Sequence, residues 1–287
     1  MHLVRRQFVA SGVTVIALAF ALSRMSNGHA LASAASSVSL LTVLAVVAAI
    51  LAGNLLASLR LKLIAGDLNT RLSFRDSVSA LTCGQLAGSF FFQVIGQTIA
   101  RSAVLSPVGV SVPTVMVMTG YERIVAALIS LGLAVVGGLF LFGRIVVDFA
   151  AGGADLALIL AGVAVVAAAG AVTSWGGDAR KLASVVSWDS LGRAGRVACI
   201  SAAIQFLTMS AYIAATLSLH RAGLSLATMA AATSLVMLAA SIPISLAGWG
   251  LREISAVYAL GYIGIPTGQS LVIAIFIGAT SLLVSAG

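Results

Sequence analysis

Uninterrupted apolar runs about 20 residues long follow one another along this chain, and they restrict it to helices that live in a bilayer. A strand crossing a membrane alternates polar and apolar residues, whereas these runs are continuous Ala, Leu, Val and Ile. Hydrophobic residues make up 60% of the 287 positions and charged residues 8%. That charged share is roughly a third of the usual one, too small to build a water-facing shell. The expected fold is an all-α polytopic membrane protein, one transmembrane domain over residues 1–287. No stretch has the composition of a soluble catalytic domain, so enzymatic activity is not expected.

Little else in the composition points to chemistry. Cys83 and Cys199 fall in apolar segments without metal-ligand spacing and are expected to be buried structural thiols. No phosphate-binding Gly-rich loop, nucleophile with its base or metal cluster is present, so neither a cofactor nor a metal is expected. The formal net charge of +8 resides largely in short loops, such as Arg60-Leu-Lys62 and Arg180-Lys181. There it sets topology and can attract anionic lipid head groups, and no nucleic-acid partner is expected.

A motif recurs within this apolar background. Gly96-Gln-Thr-Ile-Ala-Arg101 is echoed by Gly248-Trp-Gly-Leu-Arg-Glu253 at an offset of 152 residues, from Gly96 to Gly248. The offset also relates Ser73-Phe-Arg-Asp to Ser225-Leu-Ala-Thr. The chain reads as two repeats, about 1–145 and about 150–287. Arg5-Arg6, the apolar run from Phe8 to Leu22 and Ala30-Leu-Ala-Ser-Ala34 imitate a cleavable signal. The offset maps this run onto the segment from Asp155 to Thr173, and cleavage would leave one repeat incomplete, so the run is expected to stay.

Full spans are expected near residues 8–24, 36–59, 113–142, 155–174, 197–219 and 267–287. Two segments remain, 77–111 and 225–264. Each starts with a helix-length apolar run, is expected to break at the Gly-containing motif, and continues through a shorter polar stretch ending at Pro113 or Pro266. Both read as re-entrant or broken helical hairpins. With Arg5-Arg6 cytoplasmic and both hairpins returning to their side of origin, Arg60, Lys62, Arg71, Arg75, Arg180, Lys181, Arg193 and Arg196 are cytoplasmic as well. Only Arg24, Arg144 and Arg221 lie outside. Ten basic residues against three obey the positive-inside rule, and the repeats come out inverted in topology. Loop charges do not separate a hairpin from two full crossings; the short, polar second legs favour hairpins.

Five charged residues fall inside apolar segments: Arg101, Glu122, Arg123, Arg252 and Glu253. Glu122 and Arg123 follow Val112 by about ten residues, or roughly 15 Å of helix, which places them near the bilayer midplane. A cationic side chain in hydrocarbon is costly unless it faces a cavity or a partner. The guanidinium fork suits phosphate or carboxylate, and three Arg against two Glu leave a net positive site for an anionic group. The competing reading pairs Arg252 with Glu122 and Arg123 with Glu253 as a structural lock, leaving Arg101 unmatched. Gly248 and Gly250 serve either the site or close helix packing. Trp249 either stacks on a ring or wedges a helix break, and His220 and Arg221 suit an interfacial helix end.

The segment from Leu59-Arg-Leu-Lys through Ser73-Phe-Arg-Asp, the Gly96-to-Arg101 motif with Gly120-Tyr-Glu-Arg123, and Ile242-Pro-Ile-Ser-Leu-Ala-Gly-Trp-Gly-Leu-Arg-Glu253 resemble the transmembrane region of the lysylphosphatidylglycerol synthase/flippase family. The string from Pro243 to Glu253 is the specific part. The first motif departs from the family pattern, which usually shows Pro and Gly where Phe90-Phe-Phe-Gln93 stands. Some members carry a soluble aminoacyl-transferase domain after the membrane part, which these residues lack. The resemblance to stand-alone members implies movement of a lipid or lipid-linked anionic intermediate across a bacterial inner membrane, in envelope lipid, glycolipid, polysaccharide or hopanoid pathways. Two alternatives stand beside it: a non-transporting scaffold for a lipid- or polysaccharide-biosynthesis enzyme, and a secondary transporter of a small organic anion. The number of copies that assemble is open.

Overall fold

The computed structural model describes residues 38–90, 93–146, 191–219, 223–242 and 250–286. Among these residues every regular element is helical. In chain order they are α1 (Leu40–Asp67), α2 (Phe74–Phe90), α3 (Gln93–Leu105), a 3-10 turn (Ser106–Val108), α4 (Val112–Val146), α5 (Leu191–Leu219), α6 (Leu226–Ser241), α7 (Leu251–Tyr262) and α8 (Thr267–Ala286).

Four of these, α1, α4, α5 and α8, are long and apolar enough to cross a bilayer. They fall on four of the six expected spans; the runs at 8–24 and 155–174 lie outside the described residues. The exterior has the character lipid requires, with Leu44, Leu51 and Leu55 of α1 and Leu128, Val136 and Leu139 of α4 exposed. The chain is an all-α, multi-pass membrane protein.

Local chemistry accounts for the helix boundaries. Pro113 occupies the first turn of α4 and Pro266 precedes α8, where a missing backbone donor costs nothing. Ser39 caps α1 by accepting the Thr42 N–H at 3.2 Å. Ser73 accepts the Asp76 N–H at 3.1 Å, and Ser225 accepts the Thr228 N–H at 3.1 Å, so the starts of α2 and α6 carry the same cap. α1 runs past the expected end at residue 59 and carries Arg60 and Lys62 inside the helix. Lys62, Arg71 and Arg75 are exposed as loop cations should be, but Arg60 is buried and does not belong with them.

The two motif-bearing segments each form a pair of short helices, α2 with α3 and α6 with α7, and the members of each pair pack on each other. In the first segment the break does not fall at the motif. Helix α2 ends at Phe90 and α3 begins at Gln93, so Gly96 to Arg101 lie within α3. Gly96 serves helix contact there, because a Cβ at this position would come within 2.6 Å of the Ala87 carbonyl oxygen on α2. In the second segment α6 ends at Ser241, before the motif, and α7 starts within it, immediately after Gly250.

Polar contacts between α1 and α5 fix their relative direction. Ser39 bonds Ser218 at one end, Arg60 bonds Ser201 further along, and Arg193 approaches Asp67 at the other end. The two helices therefore run antiparallel. One apolar cluster, with Val46, Leu141, Met209, Tyr212, Val236, Leu260 and Ile273, joins α6, α7 and α8 to α1, α4 and α5. A second, with Leu61, Ile64, Ala80, Leu105, Val115, Met118 and Val197, joins α2 and α3 to the same three helices. Cys83 and Cys199 belong to neither: both are free and exposed, which corrects their expected burial. A thiol is apolar enough to face lipid as readily as a protein interior.

Candidate functional site

A cavity of about 320 Å³ opens among α1, α2, α3, α4, α5, α7 and α8. Its wall is made by residues at helical spacing: Asn54, Ala57 and Arg60 on α1, Gln85 and Ser89 on α2, and Gln93, Gln97 and Arg101 on α3. Each set recurs every three or four positions, so each of these helices presents a polar stripe to the cavity. α8 contributes Gly278, Ser281 and Ser285.

The charged part of the wall is built around one carboxylate. Glu122 of α4 is 5% exposed and holds two arginines at once. Arg60 Nη2 of α1 donates to Oε1, and Arg101 Nη1 of α3 donates to Oε2 at 2.6 Å. Arg60 also donates to the Ser201 hydroxyl at 2.9 Å, and Arg101 to the Thr119 hydroxyl at 3.3 Å. Arg101, 2% exposed, threads past Gly84 of α2, where a Cβ would meet its Nε at 3.0 Å. Arg123, next to Glu122, also lines the cavity and has no hydrogen-bond or ion-pair partner among the described residues.

The second motif builds a different arrangement. Gly250 precedes α7 with φ 89, a left-handed conformation that favours glycine, which decides its role in favour of backbone geometry. Its N–H donates to Glu253 Oε2, so the fully buried Glu253 carboxylate closes the first turn of α7. The other carboxylate oxygen accepts from Arg252, at 2.9 Å from Nε and 2.6 Å from Nη2. The Arg252 side chain, 11% exposed, reaches the cavity and fills the space left by Gly278 on α8.

Residues 7–286 match the family model described as the lysylphosphatidylglycerol synthase TM region. The chain belongs to the lysylphosphatidylglycerol synthase transmembrane-region family. No curated protein and no solved structure matches it.

The geometry of this family member replaces the pairs of the competing structural-lock reading with others. Glu122 binds Arg101 and Arg60, not Arg252, and Glu253 binds Arg252, not Arg123. Among the described residues the arginine without an ion-pair partner is Arg123, not Arg101. The reason is the extra turns of α1, which carry Arg60 to the carboxylate and use up the capacity assigned to Arg252. Arg101, Arg123, Arg252 and Glu122 share the cavity wall, with Glu253 directly behind Arg252. Gly248 and Trp249 lie outside the described residues.

Sequence reasoning missed Arg60, Asn54, Gln85, Gln93 and Gln97. A signal was present: the amides and Arg60 keep helical register with one another inside apolar runs. Asn54 Nδ2 and Gln93 Oε1 are buried without a partner among the described residues, while Gln85 donates to Asn54 Oδ1 at 3.2 Å and accepts from the Ser285 hydroxyl at 2.6 Å. Nothing in the sequence order brings Ser285 to Gln85, because that contact joins the last described helix to α2.

Proposed function

We propose that the chain moves a lipid or lipid-linked anionic intermediate between the leaflets of a bacterial inner membrane, with its N-terminus cytoplasmic. One observation carries this reading: the cavity gathers Arg60, Arg101, Arg123 and Arg252 from four different helices inside a bundle whose outer faces are apolar. A charged head group does not cross hydrocarbon unaided. Guanidiniums already held in place by Glu122, Glu253 and hydroxyls lower that cost, while the tails remain in the surrounding lipid.

An inverted-repeat mechanism is consistent with several features. α1 and α5 are related by the 152-residue offset and run antiparallel. α2 and α6 start on the same cap at the same offset. The four short helices contain 17, 13, 16 and 12 residues. At 1.5 Å per residue the longest spans about 26 Å, less than the roughly 30 Å of hydrocarbon, which favours re-entrant pairs over full crossings. Exchange of conformation between the halves then alternates access to the cavity. The process makes and breaks no covalent bond and asks for no cofactor. A lipid- or polysaccharide-biosynthesis enzyme is the partner that would supply or receive the cargo. The test is reconstitution: purified protein in vesicles should speed the exchange of a fluorescent anionic phospholipid between leaflets.

A further inference from the structure

Three guanidiniums and one carboxylate meet in one part of the cavity wall: Arg60, Arg101, Arg123 and Glu122. The single charge of Glu122 is divided between Arg60 and Arg101, and Arg123 has no ion-pair partner among the described residues. These four side chains carry two positive charges in excess. The Arg252–Glu253 pair, which also reaches the cavity, is internally neutral and leaves the count unchanged. The amide wall of Asn54, Gln85, Gln93 and Gln97 adds polar contacts and no charge. Because Arg101 and Glu122 are almost fully buried, the excess lies where the dielectric is low and where water and salt screen least.

We infer that the preferred head group carries two negative charges, as a terminal phosphate monoester or a diphosphate does, and not the single charge of a phosphodiester; this rests on the translocation reading above. A dianion brings this part of the wall to neutrality, a phosphodiester leaves one positive charge uncompensated, and a zwitterion leaves two. The three terminal oxygens of a monoester also accept from more than one guanidinium fork, so Arg123 can bind without displacing Glu122 from both of its partners.

The test compares three probes on purified protein in detergent: short-chain phosphatidic acid, short-chain phosphatidylglycerol and inorganic phosphate. At pH 8 a phosphate monoester, with a second pKa of about 6 in a phosphorylated side chain, is predominantly the dianion. Wild-type protein should bind phosphatidic acid on the order of tenfold more tightly than phosphatidylglycerol. Arg123→Gln should bring the two within about twofold, and Arg123→Lys should keep the preference. Should Arg123→Gln fail to fold, Glu122→Gln raises the excess to three and should widen the preference. Equal binding of the two lipids by wild type, or a preference that neither variant alters, overturns the inference. Competition by inorganic phosphate at concentrations comparable to the lipid keeps the dianion and removes the lipid as its source. Transport of phosphatidylglycerol in vesicles without any binding preference leaves translocation standing and the dianion reading refuted.

Discussion

Gly278 of α8 leaves the space that the Arg252 guanidinium of α7 occupies: a Cβ at residue 278 would collide with both Nη atoms and Cζ. The arginine is aimed by a missing side chain as well as by its ion pair with Glu253. Gly278→Ala should therefore turn the Nη end of a flexible side chain out of its seat while the Nε contact with Glu253 remains, at a cost of about 1 kcal/mol. Gly96→Ala is the contrast, since its Cβ meets the fixed backbone of Ala87 and should cost about 1–3 kcal/mol. Thermal unfolding and lipid exchange measured on both variants check this; a stable, fully active Gly278→Ala protein contradicts the aiming role.

The ion pairs permit a test of site against scaffold. Arg252→Met leaves Glu253, fully buried, without its partner and should destabilise the protein by about 3–5 kcal/mol. The double change Arg252→Met with Glu253→Gln removes both charges and keeps an acceptor for the Gly250 N–H, so stability should return. Transport should not return. Recovery of both in the same double mutant means that the pair is structural and that Arg252 does not bind cargo.

How far the sequence reveals this protein depends on the range of the interactions involved. Continuous apolar runs are local signals, and they locate α1, α4, α5 and α8 to within a few residues except at the end of α1 and the start of α5. The end of α1 was hidden because Arg60 reads as a loop cation until Glu122, 62 positions away, is seen to receive it. The identity of the ion pairs was likewise out of reach, because it depends on which helices adjoin. Gly96 does not mark the break before Gln93, because this glycine serves packing against Ala87 and not chain reversal. The face of each helix that lines the cavity was legible in principle, through stripes such as Gln93, Gln97 and Arg101.

Topology gives an independent check on the inverted arrangement. Single cysteines introduced in the loop from Leu68 to Ser73 and in the segment from Trp175 to Ser187 should both resist an impermeant thiol reagent in intact cells, whereas one at Gly223 should react. The exposed Cys83 and Cys199 must first be replaced by Ala. Labelling of either basic segment from outside contradicts the proposed inverted topology, because the two proposed repeats take their orientation from those charges.

The most direct test of the account is lipid exchange in vesicles, with wild-type protein compared against Arg252→Ala, Arg252→Lys and Arg101→Ala at matched incorporation and confirmed folding. Chemical quenching of a fluorescent anionic phospholipid in the outer leaflet reports how fast inner-leaflet lipid reaches it. The account predicts that wild type accelerates exchange, that each Ala variant slows it at least about tenfold, and that Arg252→Lys recovers only part of the rate because a point charge lacks the guanidinium fork. Exchange at the wild-type rate in a folded Arg252→Ala protein contradicts passage of the head group through this cavity.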